Sequence, residues 1–220
     1  PHPIPRRQRQ MCIRDREVAD LFSFFAHNYE RPRFKHLIVS PYTTRTRFAQ
    51  VVRQEIKHVK AGRKGRIILK LNNLVDAAMI ELLYGASQAG VKVDLIVRGI
   101  CSLKPGVEGL SENIRARSVV GRDLEHGRVL YFANDGDPLY FLSSADWMGR
   151  NLDRRVEVSV PIRDPQLQAQ VGAMLELQLK DNVRARRLDV QLRNKFVAGR
   201  SKSVKLDCQQ ALYERYLNEN

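Results

Sequence analysis

Arg66-Ile67-Ile68-Leu69-Lys70-Leu71, then a segment from Asn73 to Gly90, then Val91-Lys92-Val93-Asp94-Leu95-Ile96-Val97: this stretch decides the fold. Each end is a short apolar run of strand length. The middle has room for one helix, opened by Asn73 or Asp76 and closed at Gly90. Two strands joined by one helix and tight turns predict a right-handed βαβ crossover in a parallel sheet. Ligands of such sheets gather beyond the carboxyl ends of the strands, which puts Ser40, Lys70, Asn72 and Arg98 at the expected functional edge.

Toward the N-terminus, Phe34 to Ser40 reads as a buried strand stopped by Pro41. Thr44 to Ala61 reads as a helix, with Phe48, Val51, Val52, Ile56 and Val59 on its apolar side, a cationic outer face and Gly62 at its end. Val18, Leu21, Phe22 and Phe25 give a further helix over Glu17 to Ala26. Toward the C-terminus, Leu103 to Asn113 is a loop, and strands are expected at Ile114 to Val120, Arg128 to Ala133, Leu139 to Ser143 and Val156 to Val160. Asn134-Asp135-Gly136-Asp137 turns the middle pair into a hairpin. Pro165 starts a helix to about Asp181, with Leu167, Val171, Met174, Leu175 and Leu179 on one face. A basic tail from Lys180 to Lys205 precedes a last helix over Val204 to Leu217. Phe48, Tyr84 and Trp147 are expected in the core.

The 220 residues, 43% hydrophobic, suffice for one domain with a proper core. Pro1 to Arg16 is set apart: it is Pro- and Arg-rich, lacks apolar periodicity, and ends in Met11-Cys12-Ile13-Arg14-Asp15-Arg16, which resembles translated sequencing-adapter sequence. It reads as a non-native or disordered head, with a basic arm as the alternative, and residues 17–220 as the domain. The net charge of +14 calls for an anionic partner; removing the head's five Arg and one Asp leaves 33 basic and 23 acidic residues, +10. The segment Arg31 to Lys70 holds twelve Lys or Arg against Glu55 alone. Aromatic residues, 7% of the chain, do not interleave with the basic segments, which argues against nucleic acid. Cys12, Cys101 and Cys208 are too dispersed for a disulfide framework or a zinc site, which fits a reducing cytoplasm. No apolar run reaches the length of a membrane span, so a soluble protein is expected.

The candidate chemistry centres on Leu124-Glu125-His126-Gly127-Arg128 and, one apolar run later, Ser143-Ser144-Ala145-Asp146-Trp147. An imidazole two residues before a guanidinium can shuttle a proton beside a bound phosphate. The alternative is a strand-edge histidine bonded to backbone. Arg98, between an apolar strand and Gly99, can fork onto a phosphate, or else pair with Asp94 or Glu112. Lys70 and Asn72 would lie beside it, or merely cap their strand. Ser143, Ser144 and Asp146 could orient the imidazole and donate to phosphate oxygens, or make the turn into Trp147. Arg150, Arg154 and Arg155 read as a solvated network with Asp153 and Glu157. No P-loop and no Gly-x-Gly-x-x-Gly is present.

The strings Leu69 to Asn73, Leu95-Ile96-Val97-Arg98-Gly99-Ile100-Cys101-Ser102-Leu103, Leu110 to Arg115, Leu124-Glu125-His126 and Ser144 to Arg155 together resemble the C-terminal end of the bacterial, long-chain-synthesising polyphosphate kinase family. The resemblance runs from about Glu17 to the C-terminus. It implies an α/β, phospholipase-D-like mixed sheet flanked by helices, and reversible transfer of the ATP γ-phosphate to polyphosphate through a phosphohistidine. His126-x-Arg128 and the Ser-x-Asp turn are similar to the His-x-Lys and Ser-x-Asn signature of phospholipase D enzymes, with Arg and Asp substituted. By position the resemblance makes His126 the family's second active-site histidine, contacting ATP, and Arg98 an ATP-phosphate ligand. Lys70, Asn72, Arg128 and Ser144 are the further phosphate-binding candidates.

It also implies that the phosphorylated histidine, the arginines that hold Mg2+ and a tyrosine near the adenine lie upstream of the match. None of His2, His27, His36 or His58 stands in a comparable motif, and no metal ligand is expected in this chain. The expectation is a cytoplasmic fragment of a homo-oligomeric enzyme, inactive alone, with ATP, ADP and polyphosphate as partners and peripheral membrane association left open. The alternatives are a phospholipase-D-type phosphodiesterase using His126 as nucleophile, and a non-catalytic polyanion-binding module.

Overall fold

The computed structural model describes residues 6–27, 29, 32–191, 193–197 and 204–218. The first helix, α1 (Arg6–Ala26), leads to β1 (Ile38–Ser40), α2 (Thr44–Lys60), β2 (Arg66–Leu71), α3 (Ala77–Gln88) and β3 (Lys92–Val97). Then come β4 (Ile114–Val119), β5 (Arg128–Phe132), β6 (Leu139–Ser143), α4 (Gly149–Asp153), β7 (Glu157–Ile162) and α5 (Pro165–Lys180). The chain continues through β8 (Ala185–Leu188) and β9 (Lys195–Phe196) to α6 (Cys208–Asn218).

The crossover read from the sequence is present: β2 and β3 are parallel neighbours, with Leu69 beside Leu95 and Leu71 beside Val97. Asp76 caps α3 by accepting from the Met79 N–H at 3.1 Å, and Gly90 takes a positive φ of 94° where the chain leaves it. Around this pair the nine strands form one mixed sheet in the order β1-β7-β6-β5-β2-β3-β4-β8-β9. Alternation along β2 sends Ile67, Leu69 and Leu71 to the α2 and α3 side, where they pack with Phe48, Val52, Leu83 and Trp147. Ile68 faces the other way, into a smaller core with Ile96, Val129 and Leu175 of α5 and Cys208 of α6. Helices therefore cover both faces of the sheet's central strands.

Some expectations are corrected. Residues 6–16 lie within α1, in which Asp15 and Arg16 are exposed and Glu17 is buried. The Glu17 carboxylate accepts the backbone N–H groups of Lys35, His36 and Leu37, so those residues do not pair as strand and β1 is confined to Ile38–Ser40. Leu167 is exposed because it stands in the first turn of α5, outside the contact face. The basic tail contains β8 and β9, which extend the sheet beyond β4. Their Arg-rich runs lack the apolar alternation of a half-buried strand, which hid them. The hairpin turn is as read: Asn134, Asp135 and Gly136 all take positive φ, which these residue types tolerate best.

Candidate functional site

Arg98 leaves β3, Asn72 leaves β2, and Arg128 begins the antiparallel neighbour β5, so all three meet at one rim of the sheet. Gly99 lets them close up: a Cβ there would stand 2.6 Å from Asn73 Oδ1 and 2.9 Å from the Asn72 carbonyl oxygen. The Gly99 N–H donates to that carbonyl at 2.7 Å.

Asp146, just past β6, ties the groups together. One carboxylate oxygen accepts the Asn72 N–H at 2.8 Å, the Asn73 N–H at 3.0 Å and Arg128 Nε at 2.8 Å. The other accepts Arg128 Nη2 at 3.1 Å, a two-pronged ion pair whose carboxylate is only 4% exposed. Burial pushes this carboxyl up, but the donors from Arg128 and Asn73 outweigh it and hold the group below the usual carboxylate range. On one side the network continues to Arg98, whose Nε donates to Asn72 Oδ1 at 2.6 Å. On the other, Arg128 Nη2 lies 3.2 Å from His126 Nε2. A guanidinium can only donate, so a hydrogen bond here uses the imidazole nitrogen as its acceptor. His126 is exposed, and Arg98 forms no ion pair with a carboxylate among the described residues.

Not every candidate belongs to this cluster. Lys70 is on the α5 and α6 side of β2, its side chain 5% exposed and its ammonium 2.7 Å from Glu125. Gln178 of α5 and Gln209 of α6 donate to the same carboxylate at 2.7 and 3.0 Å. Lys70 is thus withdrawn from the rim that its strand-end position suggested. Ser144 donates to Glu157 and accepts the Val158 N–H at 3.0 Å, so it ties β6 to β7 instead of facing His126. Ser143 is bonded to Ser159 at 2.7 Å. Asp146 orients Arg128 rather than the imidazole directly. Ser40 is buried, four strands from β2. Gly127 has nothing within 4 Å of a Cβ, so no close approach demands glycine there. Asp153 is held by Arg45, and Glu157 by Ser144 and Asn151, so the expected network with Arg150, Arg154 and Arg155 does not form. Asn73, Gln178 and Gln209 were not singled out by sequence; the doubled Asn after a strand was the one available signal. Among the described residues no group of three or more His, Cys, Asp or Glu could hold a metal ion.

A mixed sheet with helices on both faces and a His-x-Arg and Ser-x-Asp pair near one rim defines a phospholipase-D-like fold. Nuc from Salmonella typhimurium, a phospholipase D family member, shares it at a TM-score of 0.50 and 14% identity, over 70% of this chain and 96% of that one. The chain belongs to the polyphosphate kinase C-terminal domain family, whose model (Polyphosphate kinase C-terminal domain 2) matches residues 37–209. It is 48% identical to the polyphosphate kinase of Vibrio cholerae over 92% of its own length and 29% of that protein's. For the Escherichia coli polyphosphate kinase the identity is 45%, over 90% and 29%. The crystal structure of polyphosphate kinase from Porphyromonas gingivalis superposes at a TM-score of 0.87 with 41% identity, covering 92% of this chain and 31% of that one. The chain thus spans less than a third of the length of these polyphosphate kinases. Among the described residues no helix is long and apolar enough to cross a membrane.

Proposed function

We propose that this chain is the C-terminal catalytic portion of an ATP:polyphosphate phosphotransferase, which moves the γ-phosphate of ATP reversibly onto polyphosphate through a phosphohistidine supplied from upstream sequence. The observation that carries the proposal is the unbroken hydrogen-bonded line Arg98–Asn72–Asp146–Arg128–His126. It presents a fixed guanidinium and an exposed imidazole to the same rim.

Phosphoryl transfer is catalysed mainly by positioning and by neutralising charge. Arg98, steered by Asn72, takes the phosphate oxygens. Arg128 is anchored through Nε and Nη2 on Asp146 and holds His126 Nε2 toward the reacting group. An arriving phosphate competes for the Arg128 N–H, which frees Nε2 to receive or return a proton as the upstream histidine is loaded and discharged. The Mg2+ that accompanies ATP would be held by ligands from the upstream part of the parent enzyme. Cytoplasmic location and homo-oligomeric assembly are part of the same reading.

In the full-length parent, His126→Ala should lower turnover by roughly 10² to 10⁴ with the fold intact, as measured by polyphosphate synthesis and circular dichroism. Unchanged synthesis would remove the proposed role. Arg98→Ala should chiefly raise the KM for ATP. Incubation of the parent with γ-labelled ATP should give an acid-labile protein label; a label stable to acid, or none, would favour the phosphodiesterase alternative.

A further inference from the structure

We infer that the rim bearing Arg98 continues sideways across β4, β8 and β9 as a cationic groove that holds phosphates of a linear polyphosphate beyond the one being transferred. This rests on the phosphotransferase reading above. A cavity of about 620 Å³ runs from Arg98 past Ser118, Arg184 and Arg186 to Asn194 and Phe196. Among the described residues no carboxylate stands in its wall, whereas the other large cavities are lined by acids such as Asp94, Glu112, Glu176, Asp189 and Asp137.

The strand register sets its cations in a row. Arg186 of β8 lies opposite Ser118 of β4 and, on its other flank, opposite Phe196 of β9. Ser118 Oγ donates to the Arg98 carbonyl at 3.3 Å, which joins the row to the site. The Arg186 guanidinium sits 3.9 Å over the Phe196 ring and gives Nη1 to the Asn194 carbonyl at 3.1 Å. Among the described residues it has no carboxylate partner. Phe196 and Asn194 therefore hold this fork in place without neutralising it. Arg184 spends Nε on Asp207 at 2.9 Å but remains half exposed.

Spacing selects the ligand. Two strand intervals separate Arg98 from β8, roughly 10 Å at the usual inter-strand distance. One phosphate cannot touch both ends, and a chain of several can. The donors form a line of guanidinium forks suited to repeated phosphate oxygens, and one face of the only aromatic ring in the wall is already covered by Arg186.

The test is titration of the 220-residue chain, by calorimetry at fixed ionic strength, with pyrophosphate, ATP and a long-chain polyphosphate. The double variant Arg184→Gln/Arg186→Gln should lose about tenfold or more in affinity for the long chain while pyrophosphate binding stays within about twofold. Arg98→Gln should weaken both, and Arg53→Gln, the loss of one charge on the outer face of α2, should alter neither. The groove is refuted if the double variant binds the long chain as the parent does, if it weakens pyrophosphate equally, if ATP alone is affected, or if Arg53→Gln has the same effect. If Arg98→Gln loses pyrophosphate while the double variant loses nothing, the groove fails and the phosphotransferase site stands. If Arg98→Gln loses nothing, both fail.

Discussion

Two carboxylates, Asp146 buried and Glu125 half-buried, flank β2 near the same rim, and they do opposite things with their cations. Asp146 grips Arg128 so that the guanidinium keeps one N–H on His126, at the surface. Glu125 grips Lys70 and, with Gln178 and Gln209, seals the ammonium under α5 and α6. Both carboxyls are desolvated upward and drawn below their ordinary values by their donors, Arg128 and Asn73 for the first, Lys70 and Gln209 for the second. The difference lies in the cation. A planar fork can satisfy a carboxylate with Nε and Nη2 and still offer further N–H groups, whereas a single ammonium enclosed by protein is used up in packing. Ion pairs of similar length thus make an exposed site in one case and a joint between sheet and helices in the other.

The sharpest way to break this contrast is Asp146→Asn against Glu125→Gln. Asp146→Asn should cost about 3–5 kcal/mol, because Arg128 loses its counter-charge and an amide, with one acceptor oxygen, cannot serve the backbone and guanidinium donors that now occupy both Asp146 oxygens. Glu125→Gln, still offering an amide oxygen to Lys70, should cost about 1–3 kcal/mol. Urea denaturation of the chain at neutral pH measures both; equal costs, or the reverse order, would end the distinction.

A pH series sharpens it further. Both carboxyls are lowered from unfolded values of 3.8 and 4.5, so their contribution is complete above those values and is lost as the pH falls through the folded ones. Glu55, pushed up mainly by burial, acts in the opposite sense. The urea midpoint should therefore fall below about pH 4.5, and less steeply in Asp146→Asn than in the parent. A variant slope equal to the parent's would show that Asp146 carries none of it.

The smallest expected effect is on function at Lys70. Lys70→Met should leave pyrophosphate affinity within about twofold of the parent, because its ammonium does not reach the rim. A loss like that of Arg98→Gln would restore Lys70 to the site.

Much of this was legible beforehand. The β2-α3-β3 unit came from apolar runs and turn residues, and the strand ends named Asn72 and Arg98 correctly as rim residues. The same reasoning misplaced Lys70, because a strand-end position does not say which face its side chain takes once helices cover both. It also missed β8 and β9, since a strand written Ala-Arg-Arg-Leu is legible only beside a partner such as β4. Ser144 reads as a phosphate ligand from its turn alone, but the neighbouring strand supplies Glu157 and Val158 to occupy it.

By itself the sequence determined the periodic elements, the crossover, the basic character and the family strings, all properties of neighbours along the chain. Only the tertiary structure decided which cations stay exposed. That outcome depends on pairs far apart in the chain, such as Asn72 with Asp146, Lys70 with Glu125 and Arg66 with Glu176, and on the competition among donors for a few buried carboxylates. Desolvation makes each such pairing exclusive, and exclusion can be read only when all the competitors stand in one place.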